Sequence, residues 1–291
     1  MRQWKPGIQL AVLTIIITGL VISGFILQDR LSTSKQAEVE LLLKKAVIKN
    51  NVEEVRLHLE NGANPNVLME EGFSLLTYSI KSKNIDMAFL FIMHEADLEE
   101  IIFDGNTLLM EASYVGSEEL IDTLLEKGAD VRKGNLLGWT ALHAAVSSGD
   151  TSSITKLISA GADVNQADKS GWTPLMEALY QNQDEIARLF IEEGAAINVM
   201  EEEKQTPLMI AAMVSNNENM ITLLLQNKAR INDQDQSGKT GLMWAVEYGH
   251  VENVETLLSH GADQNIPSIE GKYPIDIANS FSDEAIISLL Q

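Results

Sequence analysis

The chain has no cysteine among its 291 residues. Disulfides, zinc–thiolate sites, iron–sulfur clusters and cysteine nucleophiles are thereby excluded together. The absence suits an oxidising compartment, where a stray thiol is a hazard. Aromatics are scarce, with 4 Trp, 5 Tyr and 7 Phe, so the position of each one is informative. Positive charge is scarce too: 21 Lys and Arg face 42 Asp and Glu, a formal net charge of -21. Nucleic-acid binding needs a basic footprint, so no nucleic acid is expected as a partner. Apolar residues, by contrast, make up 45% of the chain. That is too much for a disordered polymer, and the length allows one or two domains with ample core.

The first 36 residues differ from the rest. They hold Arg2, Lys5, Arg30 and Lys35 against Asp29, whereas residues 37–291 hold 17 basic and 41 acidic side chains. No charge occurs between Lys5 and Asp29. Residues 8–27, rich in Ile, Leu and Val, would span roughly 30 Å as a helix, the thickness of a bilayer core. A cleaved signal peptide is the alternative, with Val21-Ile22-Ser23 as a tolerable cleavage site. Such peptides carry an apolar region of about 7–15 residues, and this run continues through Gly24, Phe25, Ile26 and Leu27. The expectation is therefore an uncleaved signal anchor at 8–27, a cytoplasmic amino terminus at 1–7 and a tether at 28–36. Arg2, Lys5 and the free amino group precede the span, which leans the body to the far side of the membrane. A body facing the cytoplasm remains the alternative.

From residue 37 the chain repeats itself. Gly72, Gly105, Gly138 and Gly171 fall at equal intervals, Lys204 takes the next slot, and Gly238 and Gly271 follow. A second marker keeps the same beat: Gly62-Ala63, Glu95-Ala96, Gly128-Ala129, Gly161-Ala162, Gly194-Ala195, Lys228-Ala229 and Gly261-Ala262. One extra residue enters near Asn216-Asn217, where polar side chains suggest a loop that absorbs it at little cost. Within a period, Thr140 reads as a helix amino cap, and Pro174 and Pro207 as first-turn residues. Leu142, Ala144 and Ala145 give a short helix with a small-residue face, and Gly149 ends it. Ile154, Leu157 and Ile158 stripe a second helix, which Gly161 breaks. Neither helix can bury its apolar face alone, but stacked neighbours can.

The best-formed unit reads Gly138-Trp139-Thr140-Ala141-Leu142-His143-Ala144-Ala145, and the next reads Gly171-Trp172-Thr173-Pro174-Leu175-Met176-Glu177-Ala178. Period and wording resemble the ankyrin repeat. The resemblance implies an all-α solenoid of about eight helix–turn–helix units over residues 37–291. The approximate units are 38–70, 71–103, 104–136, 137–169, 170–202, 203–236, 237–269 and 270–291, preceded by the one transmembrane helix. It also implies a structural role for His143. Met110, Met176, Met209 and Met243 fill the same slot and read as packing.

Apparent chemical motifs dissolve on inspection. Gly238-Lys239-Thr240 lacks the upstream glycine of a phosphate loop, since that position is Asp233. Asp233, Asp235, Ser237 and Gly238 echo a calcium loop, but its twelfth position is Trp244 rather than Glu. No two His share metal-site spacing on a helix, and no nucleophile elbow occurs. No catalytic residue, metal, cofactor or small-molecule substrate is expected.

What remains is a surface. In ankyrin folds the turn tips and first helices line a concave face that meets the partner. Carried across by repeat position, that face selects Phe103, Asp104, Asn106, Leu136, Leu137, Trp139, Lys169, Ser170, Trp172, Glu202, Glu203 and Gln205. From the first helices it selects Tyr78, Tyr114, Val115, Tyr180, Met213, Val214, Trp244 and Tyr248. Trp and Tyr there would serve as anchors, or else pack between turns over the core. Glu70, Glu71, Glu99, Glu100, Asp104 and Glu201 to Glu203 flank them, which would steer a basic protein surface inward or serve solubility alone. The expected function is a non-enzymatic, membrane-tethered module that binds a partner protein. Resemblance to bacterial envelope ankyrin proteins implies an immunity, inhibitor or enzyme-supporting role, with the body in the periplasm and the anchor in the inner membrane. A groove enzyme and a plain spacer are the alternatives.

Overall fold

A computed structural model describes residues 35–100, 102–214 and 217–291, with Phe103 described for its backbone only. The expected span at 8–27 lies outside the described residues. Among those that are described, no helix is long and apolar enough to cross a membrane. The chain divides into two compact units, Met1–Asp97 and Leu98–Gln291.

In the first unit, α1 (35–48) and α2 (Val52–Glu60) form one helical pair, and α3 (Leu75–Lys81) and α4 (Ile85–Met93) form another. The one extended pairing among the described residues is an isolated bridge between Leu68 and Ser74, at the turn before α3. The second unit holds six pairs. Their first helices are α5 (Leu108–Val115), α7 (Ala141–Ser148), α9 (Pro174–Tyr180), α11 (Pro207–Met213), α13 (Gly241–Glu247) and α15 (Pro274–Phe281). Their second helices are α6 (Glu118–Glu126), α8 (Thr151–Ser159), α10 (Asp184–Glu192), α12 (Glu218–Gln226), α14 (Val251–Ser259) and α16 (Glu284–Leu289). Each first helix packs on the next, so α5, α7, α9, α11, α13 and α15 make one layer, and the second helices lie behind them.

Local sequence explains why these helices start where they do. Thr107, Thr173, Thr206 and Thr240 each accept a hydrogen bond at the side-chain oxygen from the backbone N–H of the methionine three residues on. Those methionines are buried, as their packing role requires. Proline begins α9, α11 and α15, where its missing N–H removes no helical bond. Small buried residues on the first helices, including Ala112, Ala145, Ala178, Ala211 and Ala245, leave room for close stacking.

His143 takes the methionine slot in α7 and adds a polar function. Its ring is buried, and Nδ1 accepts from the backbone N–H of Thr140 at 3.1 Å, completing a capping box. Nδ1 must therefore be unprotonated, which leaves Nε2–H to donate to the Trp172 carbonyl at 3.3 Å. Burial pushes the imidazole below its usual range, against the opposing pull of the Trp172 carbonyl and the Asp168 charge.

The inserted residue is handled differently from expectation. Asn217 stands outside the helices, as a loop residue would, but is buried in a polar plug, and Asn216 lies outside the described residues. α11 ends in extended backbone at Val214, without a left-handed cap. Its last carbonyls are satisfied instead by side chains. Asn217 Nδ2 donates to Ala211 O at 3.3 Å, and His250 Nε2 lies 2.9 Å from Met213 O. The fully buried Asn253 donates to Ala212 O and Val214 O at 3.2 and 2.7 Å, while its Oδ1 accepts from Asn217 N at 3.2 Å. The following repeat thus caps the helix that the insertion leaves open.

Two outcomes follow for stability. Replacing Asn253 with Ala should lower the unfolding free energy by about 2–3 kcal/mol, because buried carbonyls lose their donors. The same change at exposed Asn165 should cost under about 1 kcal/mol. Urea titrations of the two variants decide this, and equal losses would refute the plug. For His143 the folded pKa lies below the unfolded value of 6.5, so the unfolded chain binds more protons and stability falls as pH drops through that value. Gln keeps the capping box without titrating. The unfolding midpoint of His143→Gln should be near wild type at neutral pH and should fall less on acidification.

Candidate functional site

The first-helix layer of the second unit carries the turns that join each pair to the next. Each turn closes on itself and on its neighbour. Asp168 N donates to Trp172 O at 2.8 Å, and the Asp168 carboxylate accepts from Ser170 N and Trp172 N, each at 2.9 Å. Asn135, Glu201 and Asp235 brace their turns in the same way. One main-chain bond then links each turn to the next. Leu136 N donates to Asp104 O, Lys169 N to Leu137 O, Glu202 N to Ser170 O, Gln236 N to Glu203 O and Ile269 N to Ser237 O, all between 2.8 and 3.0 Å. The approach is close enough that a Cβ at Gly171 would lie 2.8 Å from Glu201 Cα, and Gly171 also has φ +86. Lys204 adopts the same left-handed region, φ 61, with its side chain in solvent, at a cost of roughly 1 kcal/mol.

The structure sorts the expected site residues into three groups. Tyr114, Leu136, Leu137, Tyr180 and Tyr248 are exposed, at 60, 66, 60, 60 and 55%. Asp104 is exposed at its turn, with φ 70. Trp139, Trp172 and Trp244 are only half-buried rather than projecting. Trp139 Nε1 donates to Asp168 Oδ2 at 3.2 Å, and Trp244 Nε1 to Asp235 Oδ2 at 2.9 Å, so two of the three indoles brace turns with their polar edges. The Trp172 ring meets Tyr180 edge-on at 5.7 Å. Tyr78 belongs to the first unit, half-buried and stacked on Phe73 at 6.4 Å. The Phe103 side chain lies outside the described residues. Asn106 is also a brace, donating to Glu111 and accepting from Asn135.

One acidic residue was misread as a flank. Glu201 is buried, and its Oε1 accepts from Glu203 N and Gln205 N. It stands where other turns carry Asp or Asn, so its charge is spent on backbone rather than offered to a partner. Glu202 and Glu203 remain in solvent. Glu99 pairs with Lys133 at 3.5 Å.

Sequence reading also missed residues that the repeat register could have supplied. Ile269, 76% exposed, holds the turn position of Leu136. Phe281, also exposed, holds the helix-end position of Tyr248. Phe281 lines a cavity of about 310 Å³ with Lys239, Glu247, Glu270, Lys272 and Ile277. Lys239 pairs with Glu247 and sits 4.1 Å over the Trp244 ring, and Lys272 bonds Glu270 at 2.9 Å. The Glu270 hydrogen bond and charge raise the Lys272 ammonium pKa, and the same contact lowers that of Glu270. Both side chains are solvent-exposed, so these shifts say little about stability.

Asp168, Glu201 and Asp235 are committed to turn N–H groups or indoles, Lys239 and Lys272 pair with Glu247 and Glu270, and no group of acids and histidines among the described residues could hold a metal ion.

Comparison with known proteins agrees with this geometry. The chain shares 37% identity over 78 residues with the palmitoyltransferase AKR1 of Lachancea kluyveri, covering 25% of this chain and 11% of that protein. The chain therefore spans about a tenth of the length of the curated relative it matches. A family model described as ankyrin repeats (3 copies) matches residues 43–135, 129–201 and 190–268. With its paired helices, Thr-capped first helices and hydrogen-bonded turn ladder, the chain belongs to the ankyrin-repeat family.

Proposed function

We propose that this chain is a non-enzymatic ankyrin module that holds a partner protein on the first-helix and turn face of its second unit. Ankyrin repeats are protein-interaction modules. The observation that carries the finer reading is the row of large apolar side chains left in solvent there: Tyr114, Leu136, Leu137, Tyr180 and Tyr248. Tyr114 and Tyr180 share one repeat slot, with Ser147 between them. Scattered exposed leucines need no explanation, but rings at the ends of three first helices, two of them in the same slot, supply rigid contact area at low entropic cost. Tyr180 is held from behind by Trp172, and Tyr248 by Trp244 and His250, so the rings are positioned before a partner arrives. Exposed Asp104, Glu202 and Glu203 beside them favour a partner with a basic surface.

The tether is proposed on sequence grounds. Residues 8–27 supply the span, and the basic residues before it favour the repeats on the outer side of a bacterial inner membrane. A role as an envelope immunity, inhibitor or enzyme-supporting protein is consistent with both features.

Substituting Tyr114, Tyr180 and Tyr248 together with Ser should abolish partner capture from the native host, since anchors of this kind cost on the order of 2 kcal/mol each when truncated. The unfolding midpoint should barely move, because all three rings are mostly exposed. Trp139→Ala should instead lower stability, as a turn brace is lost. Capture that survives the tyrosine substitutions would overturn the assigned face. A reporter active only outside the cytoplasm, fused after Gln291, should be active; silence would reverse the orientation.

A further inference from the structure

The first described helix does not resemble the rest of the chain electrically. Residues 35–49 contain Lys35, Lys44, Lys45 and Lys49 against Glu38 and Glu40, in a chain whose net charge is -21. Its burial pattern is also unusual. Leu43, Ala46 and Val47 are buried against the first unit, while Leu41 (51%), Leu42 (39%) and Ile48 (58%) are exposed. Lys35, Glu38, Lys45 and Lys49 are exposed as well. At about 100° per residue, Lys35, Glu38, Leu41, Leu42, Lys45 and Ile48 fall on one continuous arc of roughly 140°; exposed Ala37 borders it, exposed Gln36 lies off it, and Lys49 follows the last helical residue. The solvent face of α1 is therefore an interleaved stripe of large apolar and mostly basic side chains. Among the described residues, Lys45 and Lys49 form no ion pair.

We infer that this face of α1 lies on the anionic headgroup surface of the membrane into which residues 8–27 insert. The inference rests on the anchor reading and adds a second, surface contact to it. Covalent geometry supplies the first argument. Only residues 28–34 separate the end of the span from α1, and seven residues reach at most about 25 Å. α1 is thus confined near the bilayer whatever path those residues take, at a high effective concentration. Charge supplies the second argument. Lysines flanking an apolar stripe are what an anionic interface attracts, and a surface helix places its apolar side chains at the headgroup boundary. The acidic remainder of the chain would be repelled by the same surface, so only this segment of the described chain suits contact with it.

The experiment uses the full chain in phosphatidylcholine vesicles with and without phosphatidylglycerol. Because the chain has no native cysteine, single nitroxide labels can be placed by Leu42→Cys, by Met93→Cys on α4 as an exposed control, and by Ile15→Cys in the span. The label at 42 should become oxygen-accessible and shielded from a water-soluble nickel chelate only in the anionic vesicles, while the label at 93 stays aqueous. Adding Lys45→Gln and Lys49→Gln should reduce the docking equilibrium constant about thirtyfold and shift the label at 42 towards aqueous behaviour. A lipid-exposed label at 15 with an aqueous label at 42 in every vesicle would overturn the inference and leave the anchor standing. An aqueous label at 15 would overturn the anchor and the inference with it. Dipolar broadening between labels at 42, independent of lipid charge, would assign the face to a second copy of the chain and also refute the membrane contact.

Discussion

The second unit depends on one main-chain hydrogen bond repeated at every turn. The carbonyl before each turn-tip residue accepts from an N–H of the following turn, from Asp104 through to Ser237. The spacing of that bond fixes how far apart successive pairs can lie. It demands a near-constant repeat length, a left-handed tip residue and, at Gly171, a position where no Cβ fits. Helix packing must then conform. The small residues on the first helices are where the sequence concedes to that rise, since larger ones would push the turns out of bonding range.

The insertion shows how strict this constraint is. The interval from Lys204 to Gly238 is one residue longer than its neighbours, yet Gln236 still donates to Glu203 at 2.8 Å. The extra residue is displaced to the far end of α11, away from the ladder. There it strips the helix of its usual carboxyl cap. Asn253 and His250 from the next repeat restore the missing partners, and Asn217 closes the gap. The Asn217 Oδ1 is buried without a hydrogen-bond partner among the described residues.

Much of this is legible in the sequence. Markers such as Gly138, Thr140 and Gly149 state a period, a cap and a stop, and each acts through its own backbone, so local sequence suffices to read them. The failures share a different character. Asn217 looked like loop because its polarity was visible, while the buried carbonyls it serves were not. Glu201 looked like an acidic flank because Asp and Asn hold the bracing slot in neighbouring turns, and one additional methylene disguises the equivalence. The tryptophans read as anchors, but Asp168 and Asp235, which tie two of them down, lie in the following turn, 29 residues on, for Trp139 and nine residues back for Trp244. Side-chain partnership across repeats is where one-dimensional reading stops.

That distinction reshapes the binding face. An indole whose N–H is bonded to a turn carboxylate is partly withdrawn from solvent and committed to the scaffold. A tyrosine placed at the end of a first helix has no such tie, and most of its ring stays in water. In the proposed function the two residue types divide the work: Trp139 and Trp244 bond turn carboxylates, Trp172 and Trp244 back Tyr180 and Tyr248, and the tyrosines would present the contact area. Such a division keeps the face rigid without filling it. It also explains how a chain with 5 Tyr and 4 Trp can offer an aromatic surface at all. Two of the exposed rings, Tyr180 and Tyr248, are each backed by a neighbouring ring, and in the proposed function the acidic turn tips would bias which surfaces approach.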